Sequence, residues 1–298
     1  MDSFKEIKKF ATIDIGSNAV RLLVSNIIII NKSETISTKN ALVRVPIRLG
    51  QDAFTIGKIT NKNIKRLIDA MISFKLLMKV HKVEKYLAYG TSALRSSSNG
   101  INIIDLILSK SGLNIEIIDG KKEAELITNN PIFKAKANKK TYCFIDVGGG
   151  STELTLFKNR KVIKSKSFEL GGVRLINDLV LNETWDLFKD WIAENLNSYN
   201  DIEVIGLGGN INKIFKLSGN KIGTPLSLMK IDSTLSSLEK MSYSDKMLLL
   251  KLNPDRVDVI VPAGKIYQFL LKNMNSDKIR VPKIGLADGM VYELLKKL

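Results

Sequence analysis

The chain has 298 residues, of which 44% are apolar, and its excess of Lys and Arg over Asp and Glu gives a formal net charge of +16. This length and apolar content suit two domains of ordinary size, and no apolar run approaches the roughly 20 residues that a membrane-spanning helix needs. A single histidine, His81, and a single cysteine, Cys143, exclude a His-rich metal centre and an internal disulfide, and leave acid–base chemistry to carboxylates or lysines.

Strand and helix patterns follow one another in the same order in both halves of the chain. In the first half they predict strands at 10–16, 20–30 and 34–45, a long helix capped by Thr60, a strand at 85–90, a helix at 101–110 and a strand at 114–118. In the second half they predict strands at 141–147, 152–157 and 161–169, helices to about 198, a strand at 202–207 and a helical C-terminal region with a short strand at 279–284.

This repetition predicts two related α/β domains. We place the boundary at the start of the basic, Asn-containing stretch Thr128–Lys140, so that the domains are 1–128 and 129–298. We expect the last helix, about 286–298, to pack back on the first domain.

A carboxylate followed by turn-forming residues ends the first strand of each half. The two segments are Asp14-Ile-Gly16-Ser17-Asn18 and Asp146-Val-Gly148-Gly149-Gly150-Ser151-Thr152-Glu153. Amides in such turns bind anions, and the acids are suited to the cation that accompanies a phosphate. Neither turn is a P-loop, because no Gly-Lys pair precedes Ser or Thr, and Ile211 and Glu153 stand where a Rossmann fingerprint needs glycine. The pattern therefore predicts an unusual phosphate loop.

The positive charge has two open explanations. It would attract a polyanionic substrate and make binding depend on salt. The excess is mostly lysine in a chain rich in Ile and Asn, so it is also what a biased composition would give. No arginine-rich run, zinc-finger spacing or aromatic-basic motif is present, and we predict no specific nucleic-acid partner.

Several ordered motifs carry a resemblance to a known family. They are Asp14–Leu22, Thr91–Arg95, Gly120–Ile127, Asp146–Glu153, Ser167–Leu175, Gly208–Asn210, Asp255–Ala263 and Gly285–Gly289. Together they resemble the exopolyphosphatase / guanosine pentaphosphate phosphatase (Ppx/GppA) family, in its short two-domain form. The resemblance implies duplicated ribonuclease-H-like domains of the actin, sugar-kinase and Hsp70 superfamily, with an inter-domain cleft.

The resemblance also implies a reaction and a set of residues. The reaction is Mg²⁺-dependent release of terminal orthophosphate from inorganic polyphosphate, pppGpp or both, with Mn²⁺ as an alternative metal. Glu123 matches the catalytic glutamate that takes a proton from the attacking water, and Glu153 shares in catalysis. The implied metal ligands are Asp146, Glu153 and, from the first domain, Asp14. The implied phosphate ligands are Ser17, Asn18, Arg21, Arg95, Gly148, Gly149, Gly150, Ser151, Gly208, Gly209 and Asn210.

Other interpretations stay open. Without the resemblance, the simpler interpretation of Glu123 is a solvated glutamate in the first turn of a helix. Asp14 could cap its own turn, and Arg174 could pair with a surface acid. The chain as a whole could be an actin-like or sugar-kinase-type ATP-binding phosphotransferase, or a non-catalytic module that binds polyanions. The N-terminus lacks the apolar core of a signal peptide, so we expect a cytoplasmic protein without a membrane partner. A homodimer is suggested by the resemblance alone.

Overall fold

The structure is a computed structural model that describes residues 5–31, 34–131, 133, 140–199 and 201–296. The described residues divide into two compact units. One unit runs to Asp119 and also takes in the residues from Leu286 onward, and the other runs from Gly120 to Gly285.

The first unit is built on a mixed five-stranded sheet. Its strands are β1 (Glu6–Ile15), β2 (Val20–Ile29), β3 (Thr35–Val45), β4 (Lys85–Gly90) and β5 (Glu116–Ile117). They lie in the order β3-β2-β1-β4-β5, with β1 antiparallel to β2 and parallel to β4. The apolar run Phe10–Ile15 forms the buried half of the central strand, so the sheet is anchored by the segment that leads into the first glycine turn.

Four helices lie between the strands of the first unit: α1 (Leu49–Thr55), α2 (Asn61–Val80), α3 (Ser92–Ser96) and α4 (Gly100–Ser111). The predicted start of α2 is confirmed, because the Thr60 side chain accepts a hydrogen bond from the amide of Asn63. Its buried face, Leu67, Met71 and Phe74, belongs to the core under the sheet. Of the helices that the structure describes, none combines the length and the apolar character that a bilayer crossing requires.

The second unit repeats the strand order of the first. Its strands are β6 (Thr141–Val147), β7 (Thr152–Lys158), β8 (Lys161–Phe168) and β9 (Ile202–Leu207), in the order β8-β7-β6-β9. Again the central strand is antiparallel to the strand that follows it and parallel to the fourth. The predicted α/β fold with duplicated domains is thereby confirmed.

Helices and a short two-stranded ribbon complete the second unit. The helices are α5 (Gly120–Thr128), α6 (Gly172–Leu175), α7 (Asn182–Asn195), α8 (Gly209–Leu217), α9 (Leu228–Lys240), α10 (Tyr243–Leu248), α11 (Pro254–Val257) and α12 (Ile260–Asn273). The ribbon pairs β10 (Leu226–Ser227) with β11 (Lys278–Ile279). The predicted strand at 279–284 is therefore shorter and begins one residue earlier. Past a single bridge from Arg280 to Ile205, the chain reaches Pro282, which has no amide hydrogen to extend a ladder.

The compact units divide at a different place from the boundary that the sequence suggested. Helix α5 lies before the predicted boundary at 128/129, yet it belongs to the second unit. Its first residue, Gly120, lies so close to Ser167 of β8 that an added Cβ would stand 2.6 Å from the Ser167 Cβ. Composition indicated a linker at the basic stretch, but tertiary packing of α5 on β7 and β8 decides where the unit begins.

The C-terminal helix α13 (Leu286–Leu295) packs on the first sheet. Its Ala287, Val291 and Leu294 form a separate apolar cluster with Phe10 and Leu23 of β1 and β2. The buried hydroxyl of Thr12 donates to the Ala287 carbonyl at 3.0 Å. Helix α13 thus covers the second face of the first sheet.

Candidate active site

The first glycine turn is held from one side by the start of α1. The amide of Gly50 donates to the Ser17 carbonyl at 2.7 Å, and the amide of Arg48 donates to the Asn18 carbonyl at 3.0 Å. In a planar trans peptide, each carbonyl points opposite to the amide that follows it. The amides of Asn18 and Ala19 therefore point away from α1, as a binding turn for an anion requires.

The second glycine turn is held in the same way by the start of α6, through hydrogen bonds to three carbonyls instead of two. Segment 172–174 binds its three glycine carbonyls: Gly172 N to Gly148 O at 3.1 Å, Val173 N to Gly149 O at 2.8 Å, and Arg174 Nε to Gly150 O at 2.9 Å. By the same peptide geometry, the amides of Gly149, Gly150 and Ser151 all point away from α6. Three successive amides directed to one side form a nest for an anion.

The sequence analysis gave no role to two supporting glycines, Gly50 and Gly171, although Gly171 lies within the motif Ser167–Leu175. A Cβ on Gly171 would lie 2.5 Å from the carbonyl of Gly149, and a Cβ on Gly50 would lie 2.8 Å from the Ser17 Cβ. Both glycines let the start of a helix approach the back of a glycine turn. A signal was present, because each follows a leucine shortly after the third strand of its half, as Leu49-Gly50 and Leu170-Gly171.

Arg174 supports the second turn from behind. Besides its bond to the Gly150 carbonyl, its guanidinium forms a 3.3 Å ion pair with Glu169, whose side chain is 76% exposed. The ion pair agrees with the interpretation of Arg174 as the partner of a surface acid. Because Arg174 binds the Gly150 carbonyl, it helps to hold the three amides of the nest in place.

The residues opposite the two repeated aspartates differ in charge. In the antiparallel register, Asp14 of β1 stands opposite Arg21 of β2, whereas Asp146 of β6 stands opposite Glu153 of β7. Side chains directly opposite one another lie on the same face, with Cβ atoms about 5 Å apart. The first turn therefore carries its own cation, and the second presents two carboxylates side by side.

Asp14 and Arg21 form an ion pair of 2.9 Å. Burial raises the pKa of Asp14, and the charge and hydrogen bond of Arg21 offset that effect only in part. Since Arg21 remains about one-third exposed, it is the partner that a ligand can reach. The roles of Asp14 as a metal ligand and of Arg21 as a phosphate ligand stay predictions.

Arg95 holds the segment that leads into α5. Its Nη1 donates to the carbonyl of Ile118 at 2.5 Å, just before Asp119 and Gly120. The side chain thus fixes the chain close to the helix that carries Glu123. Its role as a phosphate ligand stays a prediction.

The start of α5 lies against the carboxylate pair. Glu153 is buried, and the Ser167 hydroxyl donates to its Oε1 at 2.8 Å. Gly120 packs on the same two residues, with its added Cβ 3.6 Å from the Glu153 Cγ. Because Glu123 lies in the first turn of this helix, the predicted base and the predicted metal ligand Glu153 belong to one packed region.

The third loop, Gly208–Asn210, closes on Asp146. Gly208 has φ +91°, and a Cβ there would lie 2.6 Å from Asp146 Oδ1. Both the left-handed backbone and the contact require glycine. Arg256 donates to the Gly209 carbonyl at 3.0 Å, which fixes the first residue of α8. The structure thus brings Asp146, Glu153, the amide nest and the third loop together in the second unit.

The donor set in the second unit is compatible with Mg²⁺. No group of three or more His, Cys, Asp or Glu side chains within the described ranges could hold a metal ion. Mg²⁺ is commonly bound by one or two carboxylates, with waters and substrate phosphates as the other ligands. Asp146 and Glu153, adjacent across two strands, provide two such oxygen donors.

Comparison with known proteins identifies the family. The profile of the Ppx/GppA phosphatase family matches residues 41–298. The chain belongs to this family. The match begins in β3 and includes the second glycine turn, α5 and the Gly208–Asn210 loop, whereas the first turn lies before it.

Individual relatives of this Ppx/GppA family member are distant in sequence. A bifunctional 3-dehydroquinate synthase/phosphatase of Fusobacterium nucleatum is 26% identical over 98% of the chain, which spans only 47% of that protein. Exopolyphosphatase 2 of Mycobacterium tuberculosis is 22% identical over 97% of the chain and 99% of its own length. The crystal structure of an exopolyphosphatase from Cytophaga hutchinsonii superimposes with a TM-score of 0.83 and 25% identity, over 98% of this chain and 99% of that one.

Proposed function

We propose that this protein is a hydrolase that releases terminal orthophosphate from inorganic polyphosphate, from pppGpp, or from both. One observation carries the proposal: Asp146 and Glu153 stand opposite each other beside three amides that point to one side. Oxygen donors for a cation next to donors for an anion suit a metal-bound phosphate. Membership of a phosphatase family and the names of the relatives support this chemistry.

In this proposal the second unit binds the terminal phosphate and activates water. The amides of Gly149, Gly150 and Ser151 donate to its equatorial oxygens, and Gly208–Asn210 contributes further donors. Glu123 takes a proton from water as the water oxygen bonds to the terminal phosphorus. The bridging P–O bond breaks, its electron pair stays on the shortened chain, and that oxygen is protonated from solvent.

Asp146 and Glu153 are the residues that would hold Mg²⁺, or Mn²⁺ in its place. The metal, when bound, offsets the negative charge that gathers on the phosphate oxygens. The Ser167 hydroxyl keeps Glu153 oriented for that task.

We assign the first unit a binding role. Arg21 would leave the Asp14 carboxylate and donate to a phosphate, and the turn amides around Ser17 and Asn18 would bind another oxygen. Arg95 would add a further charged donor. In this assignment Asp14 orients Arg21 before substrate arrives.

The test is phosphate release by the purified protein. Initial rates are measured with long polyphosphate and with pppGpp at one Mg²⁺ concentration, for the parent and for Glu123→Gln. Loss of one general base should lower kcat by roughly 10²- to 10⁴-fold. Glu125→Gln is the matched control, because it removes the same charge from the same helix and should keep the parental rate.

The two claims fail separately. If neither substrate releases phosphate, the proposed function is wrong. If phosphate is released and Glu123→Gln turns over like the parent, the function stands and the role of Glu123 is wrong.

A further inference from the structure

Tyr267 in α12 has a hydroxyl at the junction of two strands of the second sheet. The side chain is completely buried. The hydroxyl donates to the Leu207 carbonyl at 2.5 Å and accepts from the Val147 amide at 3.3 Å. A tyrosine on a helix thus connects the backbones of β6 and β9.

The two contacts lie where the strands end and the phosphate loops begin. Val147 is the last residue of β6, before Gly148, and Leu207 is the last residue of β9, before Gly208. The last pair in the β6–β9 register is Asp146 with Leu207. The hydroxyl therefore continues the connection between the strands just beyond the point where their own ladder stops.

The surroundings keep this hydroxyl protonated. Burial raises the pKa of Tyr267 well above its ordinary value, and the charges of Asp146 and Glu153 raise it further. A neutral hydroxyl can donate to Leu207 and accept from Val147 at the same time.

We propose that Tyr267 is a positioning residue for the reaction, which fixes the separation between the second glycine turn and the Gly208–Asn210 loop. The inference rests on the proposed function. Asp146 lies between these loops, with Gly208 packed on its carboxylate, so a change in their separation would also redirect Asp146. A displacement of about 1 Å in such a site is enough to lower a rate by about 10²-fold.

The test compares Tyr267→Phe with Tyr86→Phe. Tyr86 is the matched control, because its hydroxyl also accepts a backbone amide hydrogen, from Asn114, but in the first unit. In Tyr267→Phe we expect kcat to fall by roughly 10- to 100-fold, KM to change by less than about three-fold, and the half-saturating Mg²⁺ concentration to rise. Tyr86→Phe should keep the parental kcat and Mg²⁺ requirement.

A purely structural role predicts another result. It would lower the melting temperature of Tyr267→Phe but leave kcat within about two-fold of the parent and the Mg²⁺ requirement unchanged, and that result would overturn the proposal. If Tyr267→Phe is unfolded in buffer, trimethylamine N-oxide is added to all the proteins until their circular dichroism spectra agree, and kcat is compared there.

A second readout separates this proposal from the proposed function. Binding of Mn²⁺ alone is titrated by electron paramagnetic resonance in the parent and both variants. If the parent releases no phosphate but Tyr267→Phe still weakens Mn²⁺ binding, the hydrolase function fails, and what stands is that Tyr267 positions Asp146 and the two loops. Unchanged Mn²⁺ binding in an inactive protein would contradict both.

Discussion

At the residue scale, Gly208 is constrained in two ways. It combines a positive φ with a contact that leaves no room for a methyl group beside Asp146. In Gly208→Ala, either the backbone of the third loop or the Asp146 carboxylate has to move. We expect phosphate release to fall by about 10²-fold or more, as measured by initial rates at saturating Mg²⁺.

Gly223→Ala provides the control for backbone strain. Gly223 has a similar φ of +88°, but nothing lies within 4 Å of its added Cβ. The substitution should therefore lower the melting temperature without a comparable loss of rate. Equal rates in the two variants would show that the contact between Gly208 and Asp146 has no importance for the reaction.

Some residues of the candidate site could be recognised from the sequence, and others could not. The glycine turns and their acids were visible because each turn is contiguous in the chain. The opposite partners Arg21 and Glu153 were also visible, but the meaning of their difference emerged only from the strand register. Tyr267 could not be found in this way, because its hydroxyl meets residues 60 and 120 positions away.

At the element scale, a carboxylate on α1 organises the start of α2. Asp52 accepts hydrogen bonds from the Thr60 amide at 3.0 Å, the Thr60 hydroxyl at 2.6 Å and the Asn63 side chain at 2.8 Å. Burial by itself raises the pKa of Asp52, but these bonds and the charge of Lys62 outweigh it, so the pKa is lowered. The folded state therefore favours the ionised carboxylate.

This network predicts a pH-dependent contribution to stability. Because the pKa of Asp52 is lower in the folded state, its contribution is present above the ordinary value of 3.8 and is lost as the pH falls through the folded-state value. In thermal melts, Asp52→Asn should lower the melting temperature at neutral pH, and the difference from the parent should disappear in acid. A difference that is constant with pH would contradict this account.

The lengths of the helices and strands were largely predictable from apolar periodicity, whereas the unit to which each one belongs was not. The spacing of Leu67, Met71, Phe74 and Met78 reveals a helix, because one face must be apolar to cover a sheet. The same local pattern contains no information about which sheet a helix covers. For this reason the sequence analysis placed α5 before the domain boundary. The packing of Gly120 on Ser167 instead joins α5 to the second unit.

At the scale of the whole molecule, the net charge of +16 gives a prediction that distinguishes function from composition. If the positive field guides polyphosphate to the site, kcat/KM should fall by about ten-fold or more between low and physiological ionic strength. The fall should be smaller for pppGpp, which carries fewer charges than a long chain. Equal kcat/KM values across this range would favour a compositional origin of the lysine excess.

The duplication gives the molecule two similar turns that have diverged in chemistry. The first pairs an acid with a cation, and the second pairs two acids next to an amide nest. In our account, the first turn serves mainly in binding, and the second directs water to the terminal phosphorus. The central claim of this account is that water attacks the terminal phosphorus.

The most direct test is the fate of the oxygen from water. Inorganic triphosphate and pppGpp are hydrolysed in H₂¹⁸O with enzyme in excess over substrate, and the products are analysed by mass spectrometry. Attack on the terminal phosphorus predicts one ¹⁸O atom in the released orthophosphate and none in pyrophosphate or ppGpp. Label in pyrophosphate or ppGpp, or the absence of hydrolysis with both substrates, would contradict the account.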